Sequence, residues 1–421
     1  MSLRALSKTP ADIVILAAAR TPITRSYKGL LKDAHPEELL SAVLRRLVAT
    51  HPSLPTAIAD VAVGTVLSEL GGSKAARAAL NAVPGISTHT TTLYTVNRAC
   101  ASSLQSIAAI AAAIQTGTID AGIAAGMESM TRNYATRAIP AISWPALHAD
   151  DAPKDARDCF MSMGLTSENV AQRYAVSRAA QDALALESHR RAAAAQARGA
   201  FAAEIVPVTT LFTPLPPKTG AAPSPEDLAP RTVTATQDDG VRANTTPESL
   251  ARLKPAFAAD GTSTAGNSSQ ISDGAAGVVL MRRSAATALG LDGLVMGRFA
   301  GAVSVGCAPD EMGVGPIRAV REALRRTGLQ TRDVDRWEIN EAFASQAVHS
   351  MRELGLEEAW KDGRVNPDGG AVALGHPLGA TGARLVVTGL HGLKRTGGEV
   401  GVVSMCIGTG MGMAGVVVNE S

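Results

Sequence analysis

The sequence predicts an α/β protein built on parallel sheets. Three observations predict it. Short runs of buried-type strand residues alternate with segments of helical apolar spacing. The order helix, strand, glycine-rich turn, apolar helix, strand occurs near the start of the chain and again in its last third, with little residue identity between the copies. Composition gives the third: 421 residues, 46% hydrophobic and 19% charged, are ordinary for a globular protein of two or three units. With aromatics at only 3%, the core must be built from Ala, Val, Leu and Ile, and 40 glycines imply many tight turns and close backbone contacts.

The elements follow in order. Residues 12–23 read as a buried strand running into a turn at Thr21-Pro22. Residues 37–48 carry helical spacing, 61–66 a short buried strand, and 93–96 a strand that runs straight into Asn97-Arg98-Ala99-Cys100. The small apolar residues from Ala101 to about Gln115 predict a buried helix, and 119–125 a strand. In the last third, 294–305 is strand-like, 316–326 is an amphipathic helix ended by Gly328, and 337–339 is a strand entering Asn340-Glu341-Ala342-Phe343. A glycine-rich loop at 366–375 leads into a helix from about 379 to 394, and strands at 400–404 and 414–418 close the chain.

The middle differs. It is richer in charge, helix formers and proline: 166–198 is strongly helical, and 207–230, with seven prolines, reads as an irregular surface loop. The predicted organisation is therefore an N-terminal half (1–139), an inserted segment covering a site (140–264) and a C-terminal half (265–421), of which 265–290 could instead complete the first half.

A formal net charge of +2, with no Lys/Arg block interleaved with aromatics, argues against nucleic-acid binding. The four cysteines, Cys100, Cys159, Cys307 and Cys406, are far apart, without CxxC or metal-ligand spacing. Neither a disulfide framework nor a metal site is expected, and reduced thiols imply a reducing compartment. The longest apolar run, 107–114, is too short to span a membrane. Residues 1–11 carry two cations, several hydroxyls and no acid, which is only weakly like a mitochondrial presequence and reads first as a frayed terminus; Asn419-Glu420-Ser421 is not a peroxisomal tripeptide signal.

Four segments carry the chemistry. Cys100 stands where a strand turns into an apolar helix, whose N–H groups and dipole favour a thiolate; it reads as a nucleophile with a pKa below the free value of about 8.5, or as a small buried cysteine. His376, in Gly375-His376-Pro377-Leu378-Gly379, is fixed by its neighbours at a helix start, which suits a base or a plain turn histidine. Cys406 follows a strand and opens the turn Gly408-Thr409-Gly410, which would expose a thiol and backbone N–H groups, or simply join two core strands. Asn340 and Glu341 end a strand, where an amide can hold a water or a carbonyl, or where the pair can cap a helix.

Together these segments resemble the thiolase family along nearly the whole chain. Asn97-Arg98-Ala99-Cys100-Ala101-Ser102 resembles its nucleophile motif, Asn340-Glu341-Ala342-Phe343-Ala344 its asparagine motif, Gly369-Gly370-Ala371-Val372-Ala373-Leu374-Gly375-His376-Pro377 its histidine motif, and Cys406-Ile407-Gly408 its acid/base cysteine motif. Met163-Gly164-Leu165-Thr166-Ser167-Glu168-Asn169-Val170-Ala171 resembles the segment opening its loop domain; Asp239-Gly240-Val241-Arg242, Leu253-Lys254-Pro255-Ala256-Phe257 and Thr264-Ala265-Gly266-Asn267-Ser268-Ser269-Gln270 resemble its coenzyme-A-binding region. Ser162 precedes Met163 where acetoacetyl-CoA-forming members usually carry histidine, so the resemblance is to the degradative, peroxisomal-type 3-ketoacyl-CoA thiolases. Ser103 stands where the nucleophile motif usually has glycine.

The resemblance implies the thiolase fold: two similar βαβαβαββ halves in five layers, αβαβα, with an inserted loop domain. It implies thiolytic cleavage of a 3-ketoacyl-CoA by coenzyme A in fatty-acid β-oxidation through an acyl-cysteine. Coenzyme A is then a co-substrate and no permanently bound cofactor is implied. Cys100 becomes the nucleophile, His376 the base, Cys406 the acid, and Asn340 and Gly408 the oxyanion donors. Arg242, Ser269, Met163 and Phe343 become substrate contacts, with Arg242 near the nucleotide and Ser269 near the pantetheine arm. Cys159 and Cys307 have no motif support and are taken as structural. The family implies a homodimer or homotetramer, and a peroxisome-type organelle or, alternatively, the mitochondrion. The competing readings are a short-chain acetoacetyl-CoA thiolase working synthetically, a ketoacyl synthase, which lacks the second cysteine, and a non-catalytic lipid-binding relative.

Overall fold

The computed structural model describes residues 7–134, 144–149, 151–216 and 224–421, so the first six residues of the presequence-like stretch lie outside the described residues. The first half runs β1 (Ile13–Arg20), α1 (Pro36–Val48), β2 (Asp60–Gly64), α2 (Ser73–Asn81), β3 (Thr92–Val96), α3 (Ser102–Gln115) and β4 (Ala121–Ser129). The middle carries α4 (Met163–Arg173), α5 (Arg178–Ala197), β5 (Val208–Phe212) and β6 (Arg231–Ala235). The rest runs β7 (Ser272–Arg282), β8 (Gly297–Gly306), α6 (Gly315–Thr327), β9 (Arg336–Ile339), α7 (Ala344–Leu354), α8 (Thr381–Thr396), β10 (Val400–Ile407) and β11 (Met411–Asn419).

One sheet has the order β9-β10-β11-β8-β1-β7-β4-β2-β3, with Thr24–Arg25 added on β7. Its two portions share a plan. β2 pairs parallel with β3 and β4, and β4 then pairs antiparallel with β7, as β7 does with β1. In the second portion β9 pairs parallel with β10, β10 antiparallel with β11, and β11 antiparallel with β8. The counterpart of β3 shrinks there to one parallel bridge, Trp337 to Val365. Only two residue pairs, Val14–Arg298 and Ile15–Gly297, join β1 to β8.

Three apolar clusters define the layers. α1 and α2 cover one face of the first portion through Leu39, Leu40, Val43, Leu44 and Leu80. α3 and α8 lie between the portions, packing Leu104, Ile107, Ile110, Leu385, Val386 and Leu390 against both. α6 and α7 cover the outer face of the second through Ala319, Val320, Ala347 and Met351. Helix, sheet, helix, sheet, helix is the five-layer arrangement. Strands buried on both faces are continuously apolar, which is why β1 reads Ile-Val-Ile-Leu-Ala-Ala-Ala before Arg20. Chain ends of helices match their residues: α6 stops at Gly328 and α8 at Gly397, both at φ 73°, a left-handed geometry that glycine adopts without a Cβ penalty.

Two expectations change. The helical stretch 166–198 is two helices, α4 and α5, because Ala175 turns left-handed at φ 50° and Ser177 starts a new helix by accepting from the Ala180 N–H. The proline-rich 207–230 is not wholly irregular: β5 and β6 pair across it, from Val208–Ala235 to Phe212–Arg231. Its residues 217–223 lie outside the described residues.

Candidate active site

The site forms where the starts of α3 and α8 meet the ends of β9 and β10. β3 ends at Val96 and a strained turn delivers Cys100. Ala99 sits at φ 43°, a left-handed conformation costing a residue with a Cβ roughly 1–2 kcal/mol. Local hydrogen bonds hold it there: Ala99 N–H donates to Asn97 Oδ1 (2.9 Å), Arg98 N–H to Ser102 Oγ (2.9 Å), and Ser102 Oγ to the Ala99 carbonyl (2.6 Å). This explains the Asn-Arg-x-Cys-x-Ser spacing: Asn and Ser close the turn, and the turn lifts the cysteine.

His376 comes from the other helix start. Gly375, at φ 103°, passes Ser272 so closely that a Cβ would lie 2.2 Å from its Oγ. The His376 N–H then donates to the Gln270 carbonyl (3.0 Å). The ring Nδ1 lies 2.6 Å from Thr381 Oγ1, and that hydroxyl donates to the Pro377 carbonyl at 2.9 Å. With its single proton committed to the carbonyl, Thr381 accepts from Nδ1–H, which leaves Nε2 bare. Nε2 faces Asn340 Nδ2 at 3.4 Å. Asn340 is fixed at the end of β9 by its N–H to the Ser404 carbonyl (2.9 Å), and its Oδ1, fully buried, has no hydrogen-bond partner among the described residues. Asn340 is thus no helix cap, since α7 starts at Ala344 with Phe343 before it.

The second thiol departs from its sequence reading. Cys406 lies inside β10, paired with Gly412, and is fully buried rather than exposed by the turn. The turn follows it, with Thr409 at φ 72° and Gly410 at φ 89°. The Gly408 N–H, with that of Cys100 itself, reaches the Cys100 sulfur.

The electrostatics correct a further expectation. Cys100 keeps part of its surface open, yet its sulfur is closely surrounded, and burial pushes the thiol up to about 11. The N–H groups of Gly408 and Cys100 oppose that rise and Glu128 adds to it, so the thiol rests protonated, not as the thiolate that a helix start alone would favour. Burial, and then the Arg384 guanidinium, depress His376 to about 3, so the ring is neutral. Burial raises Cys406 well above its ordinary value, helped by Cys100 and Cys307. At rest, then, both thiols are protonated and the imidazole is neutral.

The predicted substrate residues divide. Met163 and Phe343 pack on the cluster of Met312, Ala342 and Cys406, and Phe343 stands edge-on to Phe257 with ring centres 5.9 Å apart. Gly164 lies under Phe257, where a Cβ would come within 2.0 Å of the ring. Ser269 is half-buried beside them, its N–H donating to the Ala342 carbonyl (3.0 Å). Arg242 is exposed, and its N–H donates to His189 Nδ1 (3.1 Å). None of its described contacts touches Cys100, His376 or Cys406.

Two residues escaped the sequence reading. Thr381 orients His376; its signal was a hydroxyl at a helix start five residues after the histidine. Glu128, fully buried, accepts from the N–H groups of Gly379 (2.9 Å), Val66 (3.0 Å) and Leu67 (3.2 Å), binding the loop after His376 to the loop after β2. Glu341 acts in a similar way. It accepts from the hydroxyl of Ser188, the amide of Asn366 and the Val372 N–H, tying α5 to the loop before His376.

Residues 13–284 match the thiolase N-terminal domain and 294–419 the thiolase C-terminal domain. The chain is 48% identical over 419 residues to mouse peroxisomal 3-ketoacyl-CoA thiolase B, covering 98% of this chain and 92% of that one. It is 48% identical over 409 residues to the human peroxisomal 3-ketoacyl-CoA thiolase, covering 96% and 90%. The dimeric peroxisomal thiolase of Saccharomyces cerevisiae superposes with TM-score 0.87 at 41% identity over 99% of both chains, and the Bacillus anthracis acetyl-CoA acetyltransferase with 0.83 at 35% over 98% and 100%. A left-handed turn before one thiol, a neutral imidazole at the neighbouring helix start and a second, buried thiol, on a duplicated five-layer frame, belong to a chain that is a member of the thiolase family.

Proposed function

We propose that the protein is a degradative 3-ketoacyl-CoA thiolase, which splits a 3-ketoacyl-CoA with coenzyme A into acetyl-CoA and a shortened acyl-CoA. The observation that carries this reading is a pair of closely surrounded thiols that influence each other's charge, with a neutral imidazole at the neighbouring helix start. Carbon–carbon cleavage needs a nucleophile and a separate acid, and a plain acyl transferase needs only the first.

In the proposed sequence, His376 Nε2 takes the Cys100 proton as the sulfur attacks the 3-keto carbon. The C2–C3 bond breaks, the acyl group stays on Cys100, and the acetyl-CoA enolate takes the Cys406 proton. The imidazolium returns its proton to Cys406. His376 then takes the thiol proton of incoming coenzyme A, whose sulfur displaces Cys100, and finally reprotonates Cys100. One developing oxyanion faces His376 and a water on Asn340, the other the N–H groups of Cys100 and Gly408. Each such donor contributes roughly 3–4 kcal/mol to the transition state. Met163 and Phe343 would border the acyl group, Ser269 the pantetheine arm, and Arg242 the nucleotide phosphates. The segment 140–264 would cover the site between halves at 1–139 and 265–421. The peroxisomal relatives support β-oxidation in a peroxisome-type organelle, and the dimeric yeast relative supports a dimer.

A second reading, an acetoacetyl-CoA thiolase acting synthetically, draws on the likeness to the Bacillus acetyltransferase. One experiment separates them: thiolysis of acetoacetyl-CoA and of a long-chain 3-ketoacyl-CoA, with Cys100→Ala as control. Cys100-dependent cleavage preferring the long chain supports the degradative reading; activity on acetoacetyl-CoA alone supports the second; no turnover by folded protein removes both.

A further inference from the structure

We propose that Ser103 is a positioning residue, which pins the helix that carries Cys100 to the helix that carries His376 and so holds nucleophile and base in register. Its Oγ accepts the N–H of Ala383 at 2.8 Å in a fully buried contact. Ala383 is the third residue of α8, and a helix's first N–H groups have no acceptor within the helix. The residue before α8 is Ala380, which has no side chain to cap it. A hydroxyl from the neighbouring helix supplies the cap instead.

The backbones are built for that approach. A Cβ at Gly126 would lie 2.6 Å from the Ser103 Cβ, one at Gly64 2.4 Å from the Ser103 nitrogen, and one at Gly382 2.5 Å from the Leu104 nitrogen. Among the described residues, the Ser103–Ala383 bond is the only side-chain hydrogen bond between α3 and α8. It closes a chain of contacts. The Arg98–Ala99 turn that delivers Cys100 is held to the first turn of α3 through Ser102, and His376 to the first turn of α8 through Thr381. Ser103 joins the two turns. Glycine, the usual residue at this place in the motif the sequence resembles, would leave that join unmade.

The inference rests on Cys100 and His376 being the reacting pair. The test measures kcat and KM for acetoacetyl-CoA thiolysis, and the rate of Cys100 alkylation by iodoacetamide, in Ser103→Ala and Ser103→Gly. Ser106→Ala is the control, because its Oγ bonds only within α3, to the Ser102 carbonyl at 3.1 Å. The expected result is a fall of about three- to ten-fold in both kcat and alkylation rate, the scale of one lost buried hydrogen bond, with KM for coenzyme A and the Ser106 control unchanged. Values within two-fold of the parent overturn the proposal even if the melting temperature drops, since a helix cap alone would act only on stability. If Ser103→Ala fails to fold, Ser103→Gly decides alone. Turnover surviving in Cys100→Ala would defeat the assignment of the reacting pair instead; loss there, with Ser103 variants at parental rates, defeats this proposal only.

Discussion

Raising the pH should accelerate Cys100 alkylation without a plateau near neutrality. The sulfur is so enclosed that burial outweighs the N–H groups of Gly408 and Cys100 and carries the thiol to about 11. Only the thiolate reacts with iodoacetamide. Its fraction is then about 10⁻⁴ at pH 7 and about 10⁻² at pH 9, a hundred-fold rise over two units. His376, near 3, does not change charge in that window and adds no step of its own. The assay is the pseudo-first-order labelling rate of Cys100, followed by mass spectrometry of its peptide from pH 6.5 to 9.5 so that labels on Cys159, Cys307 and Cys406 are not counted. Log rate against pH should have a slope near one throughout. A plateau with a midpoint at or below about 8.5 would mean a thiolate already formed at rest, and would refute the neutral-pair account.

Other predictions follow from single contacts. Thr381→Val removes the acceptor that fixes the His376 tautomer (2.6 Å), so kcat should fall about ten- to hundred-fold with KM little changed; an unaltered kcat would show that the ring needs no such anchor. Glu128 is raised from 4.5 to about 7, chiefly by burial. Its folded pKa exceeds its unfolded one, so its contribution to stability is complete below about pH 4.5 and is lost as pH rises through 7. The loss is roughly 3 kcal/mol, which urea titrations at pH 5 and pH 8 should resolve, and Glu128→Gln should flatten that difference. Gly126→Ala would push a Cβ to 2.2 Å from the Gly379 carbonyl, so urea denaturation should show destabilisation of roughly 1–3 kcal/mol, while wild-type stability would mean that the loop after His376 yields freely. If Arg242 meets the nucleotide phosphates, Arg242→Ala should raise KM for coenzyme A with little effect on kcat; an unchanged KM would dismiss that contact.

Much of the frame was legible in the chain. Continuous apolar runs marked β1 and β4, which are buried on both faces, and period-3.6 spacing marked α1 and α6. Glycine after α6 gave its end. These signals are local, since a strand's burial or a helix's stripe is written in consecutive residues. The four motifs were legible for the same reason: Asn97, Ala99 and Ser102 close one turn among themselves, and Gly375 with Pro377 fixes one loop around His376. The break between α4 and α5 was missed because Ala175 adopts a left-handed geometry that alanine does not signal.

By itself, then, the sequence determined the layer-forming elements, their duplication and the side chains that make up the candidate site. Only tertiary structure decided the protonation of those side chains and the groups that hold them. The start of a helix favours a thiolate, yet Cys100 is pushed the other way, because desolvation depends on every atom packed around the sulfur, and the groups acting on it include Gly408 and Glu128, remote in sequence. Glu128 bound two loops and Ser103 bridged two helices through contacts that no local pattern announces. A hydrogen bond between residues 280 positions apart leaves no period in the chain; it exists only once both helices are packed.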